Sequence, residues 1–133
     1  MPIVLWVALG SAVGGAARYG VGVLLQRHLA SAFPIGTLAI NLSGSFLLGL
    51  LLRYSLATPA ISAEVRALLT AGVCGGYTTF STFSYETATL IEDGDYHRAA
   101  WYVALSVLLA LGGTFLGFGV ARQVLDLRRR LQP

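Results

Sequence analysis

Four long, nearly uncharged stretches, at about residues 3–25, 33–52, 67–90 and 99–121, leave this chain few folds to choose from. Each is close to the ~20 residues that an α-helix needs to cross ~30 Å of hydrocarbon. A soluble core for 133 residues has no use for 56% hydrophobic side chains with only 11% charged. The sequence therefore predicts an all-α membrane protein, a single domain at 1–133 with four transmembrane helices per subunit. Its connections, at 26–32, 53–64 and 91–98, are short, which makes successive spans antiparallel neighbours. The first stretch lacks a basic n-region and outruns the apolar region of a signal peptide, so it is expected to remain as span one.

The nine basic residues are all arginine, against six acids, for a net charge of +3. A run such as Arg128-Arg129-Arg130 beside a span meets anionic membrane lipid and bears on orientation; no nucleic-acid partner is expected. Arg53, Arg66, Arg122, Arg128, Arg129 and Arg130 fall on the side of the termini and the middle loop, against Arg27 and Arg98 on the other. That bias favours termini inside. Cys74 is the single cysteine, so no intrachain disulfide forms, and His28 and His97 lack a second ligand at metal-binding spacing.

Span three departs from the pattern. Gly72, Gly75 and Gly76 cluster in its middle, each weakening a helix by about 1 kcal/mol relative to alanine, and Thr78, Thr79, Ser81, Thr82 and Ser84 follow. A break is expected across 72–79. Broken backbone and hydroxyls at membrane depth need protein, water or an ion, which points to an ion path. If a helix resumes near Thr79, Phe80 and Phe83 share one stripe and Thr79 and Thr82 another. Ring edges are positive and can attract an anion while excluding water; two core phenylalanines fit the same spacing. Four helices make a thin bundle for so polar a span, so a second copy is expected to cover it as a homodimer. Gly10 with Gly14, and Gly113 with Gly117, match the small-xxx-small spacing that lets helix backbones touch in lipid.

Three further polar groups lie in apolar surroundings. Asn41, with Ser43 and Ser45 nearby, either lines a path with its amide donors or bonds a neighbouring helix. Arg18 either draws anions into a vestibule or pairs with Glu86. Glu86 lies three residues past Phe83 on the same stripe, and an anion path requires its charge to be paired, protonated or turned away. In span four Tyr102 and Ser106 share a face and form a weak polar track.

Together the segments Gly14-Gly15-Ala16-Ala17-Arg18-Tyr19, Gly36-Thr37-Leu38-Ala39-Ile40-Asn41-Leu42-Ser43-Gly44-Ser45-Phe46 and Gly72-Val73-Cys74-Gly75-Gly76-Tyr77-Thr78-Thr79-Phe80-Ser81-Thr82-Phe83-Ser84-Tyr85-Glu86 closely resemble the CrcB/Fluc fluoride channels over essentially the whole chain. The resemblance implies passive fluoride export across the plasma (inner) membrane by an antiparallel, dual-topology homodimer with two pores. It places Phe80 and Phe83 as an aromatic box, Asn41 on the fluoride path and Arg18 in the vestibule; the hydroxyls of Thr79, Ser81 and Thr82, with Tyr102 and Ser106, are expected on the same path from their residue types. It also implies a structural Na⁺ on the dimer axis, held by the backbone carbonyls of Gly75 and Thr78.

Two other classes remain on the residues alone. A proton-coupled exporter of cations needs a buried carboxylate, for which only Glu86 serves, and a non-transporting assembly subunit leaves the hydroxyl-rich run without a purpose. No nucleophile, base and acid arrangement supports an enzyme.

Overall fold

The computed structural model describes residues 1–29 and 31–131, and it is all-helical among them. Helix α1 (Ile3–Leu29) and helix α2 (Ile35–Leu56) form the first two crossings. A short α3 (Ala63–Ala67) then runs without a gap into a π-helical segment (Leu68–Cys74) and a last turn, α4 (Gly75–Tyr77). Two extended residues follow, and the crossing resumes as α5 (Phe80–Glu92). It ends at Gly94, whose φ of +77° lies where side-chain-bearing residues rarely go. Helix α6 (Tyr96–Leu131) makes the fourth crossing. By length and composition α1, α2 and α6 can each span a membrane alone, whereas the third crossing is composite.

Two backbone-tight seams hold the helices together. In the first, α1 lies on the π-helical segment: a Cβ added to Gly72 would stand 2.8 Å from the Cα of Gly10, and one on Gly76 would stand 2.7 Å from the Ser11 carbonyl oxygen. In the second, α2 packs along α6, where a Cβ on Gly113 would be 3.0 Å from the Leu42 carbonyl oxygen and one on Gly117 would be 2.7 Å from Leu50 N. Lipid tails are as apolar as leucine, so such close approach, and not burial of large side chains, is what associates helices in a membrane. Accordingly Leu108, Phe115 and Leu116 on α6 are more than 60% exposed, and Tyr102 is the only large side chain fully buried among the described residues.

The middle of the third crossing differs in detail from the sequence expectation. Gly72 and Gly76 do not themselves break the helix; they admit α1. The helix opens only at Thr78 (ψ 159°) and Thr79 (φ −150°, ψ 113°), at the end of the expected 72–79 window. At the other end of this crossing, Ser62 caps α3 by accepting from the Val65 amide at 3.3 Å. The adjoining Glu64 carboxylate, hydrogen-bonded by its own backbone amide and by Ser62, sits below the ordinary carboxylate range. Ser62→Ala is expected to cost about 1 kcal/mol of stability, read as a lower thermal midpoint of the detergent-solubilised protein.

Candidate functional site

The opened backbone at 78–79 organises the site. In a continuous helix the amide of residue 79 would bond the Gly75 carbonyl; here it donates to Asn41 Oδ1 at 2.8 Å, and Asn41 Nδ2 returns a bond to the Thr79 carbonyl at 3.0 Å. One side chain thus satisfies both polar groups of the residue at the break, where each group left bare in hydrocarbon would cost several kcal/mol. Next along the chain, the Thr78 carbonyl accepts from Arg18 Nη1 at 3.4 Å. Thr79 also starts α5: its Oγ1 accepts from the Thr82 amide at 3.1 Å and donates to Thr82 Oγ1 at 2.9 Å. Ser81 Oγ lies 3.3 Å from the same oxygen. Thr79 is buried, while Ser81 and Thr82 are exposed on the single subunit.

The rings of the third crossing do come together. Phe80 and Phe83 have centroids 5.4 Å apart, Phe83 and Tyr102 5.3 Å, and Tyr102 meets Phe33 edge-on at 5.6 Å. These four aromatics form a row from the exposed face of α5 to the start of α2, with Phe80 78% exposed at its outer end. Beside the row, Glu86 accepts one hydroxyl on each oxygen: Thr37 Oγ1 at 2.9 Å on Oε1 and Tyr102 Oη at 2.6 Å on Oε2. The pairing of Arg18 with Glu86 is not formed. Arg18 reaches the broken backbone instead, and the ion pairs among the described residues are Arg98–Asp95 and Arg129–Asp126. Two hydroxyl donors therefore stand in for the arginine at Glu86, and the Tyr102 proton is turned toward that carboxylate.

A cavity of about 660 Å³ opens between the last turns of α1 and the first turn of α2. Of the residues singled out from sequence, Arg18, Thr79, Thr82 and Glu86 line it. Asn41, Phe80, Phe83, Tyr102 and Ser106 do not; they extend away from it along α2, α5 and α6. Ser106 Oγ is buried and makes no hydrogen bond among the described residues. Gly75 is exposed, and an added Cβ would meet the Thr70 carbonyl oxygen at an ordinary contact distance of 3.8 Å.

Sequence reasoning missed three contributors. Thr37 lies four residues before Asn41 and so on its face of α2, a spacing that was available to find it. Phe33 comes from the connection before α2, and no local pattern pointed to it. Tyr77, the last residue before the break, has its hydroxyl 3.1 Å from Ser43 Oγ, which ties α4 to α2. Chemically the arrangement offers a cationic group at a wide polar mouth, hydroxyls and an amide around an opened helix, and a row of aromatic rings leading from that mouth to the exposed face of α5.

Comparison with known proteins gives the same region a wider setting. A family model described as CrcB-like protein, Camphor Resistance (CrcB), matches residues 5–118. The fluoride-specific ion channel FluC of Geobacter sulfurreducens is 47% identical over 124 residues, covering 93% of this chain and 100% of that protein. A protein of the same name from Thermus thermophilus is 49% identical over 114 residues, covering 86% and 90%. A third, from Coxiella burnetii (strain Dugway), is 47% identical over 122 residues, covering 91% and 98%.

Proposed function

This chain belongs to the CrcB family, and from that premise we propose that it is a fluoride-selective passive channel of the plasma membrane, exporting F⁻ from the cytoplasm. The observation that carries the reading is the ring row beside the opened helix, which runs from Phe33 at the wall of the cavity that holds Arg18, through Tyr102 and Phe83, to Phe80 on the exposed face of α5. An anion entering the cavity loses water and gains the guanidinium, then hydroxyl protons of Thr82 and Ser81, then the positive edges of Phe80 and Phe83. Fluoride, the smallest halide, has the most hydration to replace, so a narrow path with close donors favours it over chloride. Ser106, whose hydroxyl has no partner among the described residues, fits a place further along that route.

The functional unit in this reading is an antiparallel homodimer with two pores. Phe80, Ser81, Thr82, Ser84 and Tyr85 are exposed on one subunit although they belong to a membrane crossing, and a second copy would cover these polar and aromatic groups. A structural Na⁺ belongs to the same proposal. The residues present suit a hard cation: the Gly75 carbonyl has lost its helical donor to Asn41, Gly75 is itself exposed, and the Thr78 carbonyl is held only by a 3.4 Å bond. Labelling a C-terminal tag from both sides of the membrane tests the dimer: equal labelling supports opposed subunits, and labelling from one side alone, as the arginine bias favours, rejects them.

The channel itself is tested by reconstitution. Liposomes holding the purified protein should release fluoride and retain chloride, and Phe83→Ile should slow fluoride release on the order of tenfold, the equivalent of ~1.4 kcal/mol of lost ring contact. Equal release of both halides would reject fluoride selectivity, and unchanged release by Phe80→Ile and Phe83→Ile would reject the assigned path.

A further inference from the structure

The end of the molecule that carries the chain termini is built unlike its opposite end. Helix α6 has 36 residues, about 54 Å at 1.5 Å per residue, against ~30 Å of hydrocarbon, and its apolar run stops at Ala121. Its last turns therefore stand beyond the hydrocarbon as a helical post bearing Arg122, Arg128, Arg129 and Arg130. Against that post the 57–60 turn closes a cleft of about 220 Å³, walled by that turn and by Leu125, Arg128 and Arg129.

The turn is firmly held. Buried Thr58 donates to the Tyr54 carbonyl at 2.9 Å, and Arg66 reaches the Ser55 and Ile61 carbonyls, both at 3.5 Å. Arg66 is thereby spent on the scaffold, whereas the two arginines of the cleft are not. Arg128 gives one long bond, 3.4 Å, to the Tyr54 hydroxyl. Arg129 is 3.9 Å from Asp126, between side chains 77% and 65% exposed, a pair worth little in water. Each guanidinium keeps most of its five donors for a ligand, in the planar fork that suits phosphate oxygens.

We propose that this cleft seats the phosphate headgroup of an anionic phospholipid. A lipid is favoured over a soluble phosphate by what surrounds the arginines. Leu56, Val124 and Leu127, their near neighbours in the chain or across the cleft, are all exposed, and they offer apolar surface to a glycerol backbone and acyl chains that inorganic phosphate does not have. The post rises at the level where a helix leaves hydrocarbon, which is where lipid phosphates lie. The inference rests on the membrane placement of α6 and not on which ion the protein conducts.

Native mass spectrometry of the full chain, released from detergent containing equal phosphatidylglycerol and phosphatidylcholine, tests it. Phosphatidylglycerol should be retained ~10-fold over phosphatidylcholine, with R128Q/R129Q reducing the preference to near unity and R27Q/R98Q, at the opposite end, leaving it intact. R128Q/R129Q lies outside the ion path, so unchanged fluoride release and circular dichroism certify its fold; if recovery is poor, R129Q alone gives the same reading at a smaller fold-change. Three results would overturn the proposal: no preference in the unaltered chain, the same loss in R27Q/R98Q, or displacement of the lipid by inorganic phosphate, which would make the cleft a soluble-anion site.

Discussion

Gly14→Val is expected to abolish the assembled subunit, while the same substitution one residue on, Gly15→Val, is expected to leave it folded. A Cβ on Gly14 would press into the Val73 carbonyl and stand 2.8 Å from Tyr77 N, so its neighbours are backbone of the facing segment and cannot swing aside. Relief requires α1 to part from the π-helical segment along the whole first seam. Overpacking in a well-packed interior costs ~1–3 kcal/mol even where side chains can adjust, and here none can, against a total stability of ~5–15 kcal/mol. Gly15 has nothing within 4 Å of the added atom. Size-exclusion profiles of the two variants in detergent, with fluoride release after reconstitution, make the comparison. A monodisperse, active Gly14→Val protein would show that the seam is not as tight as described.

Asn41→Ala should be the most damaging single change at the opened helix. It strips partners from both the amide and the carbonyl of Thr79, two groups at membrane depth that cost ~1–3 kcal/mol each when left unsatisfied. The expected result is a lower thermal midpoint together with a fall in fluoride release on the order of 100-fold, because Thr79 both caps α5 and orients the hydroxyls of Ser81 and Thr82. Asn41→Asp separates the two losses. It retains an acceptor for the Thr79 amide but sets a carboxylate oxygen against the Thr79 carbonyl and a charge at membrane depth, so only the amide keeps its partner and fluoride release should stay equally low. Full stability in Asn41→Ala would mean that water or lipid serves the opened backbone as well as the asparagine does.

These two sites show what could and could not be read in the chain. The four crossings were visible because span length and low charge are local properties with a fixed physical scale, and the third crossing's interruption was visible because hydroxyls and glycines are costly there. Phe80 and Phe83 were paired correctly from helix geometry alone, since residues three apart on one helix must be neighbours. The cause of the interruption was not legible. Gly72 and Gly76 look like helix breakers, but they serve contact with α1, and what holds the helix open is a side-chain amide 38 residues earlier. For Arg18 and Glu86 the sequence left mutual pairing as one alternative among others, and in the fold each meets neutral groups instead, Thr78's carbonyl and two hydroxyls. Pairings between distant elements depend on register and tilt, which no window of sequence encodes.

Because both seams are made mostly from main-chain atoms, with the Leu42 side chain against Gly113 the exception, they impose little demand on the large side chains around them. A library of random substitutions should therefore give a tolerance map with two narrow intolerant tracks in the helix contacts, at residues such as 10, 14 and 72 and at 49, 113 and 117, beside the opened helix held by Asn41. The leucines and valines exposed on α6 should exchange freely for any other oily residue. Such a protein can rewrite most of its exterior while its skeleton keeps the same shape.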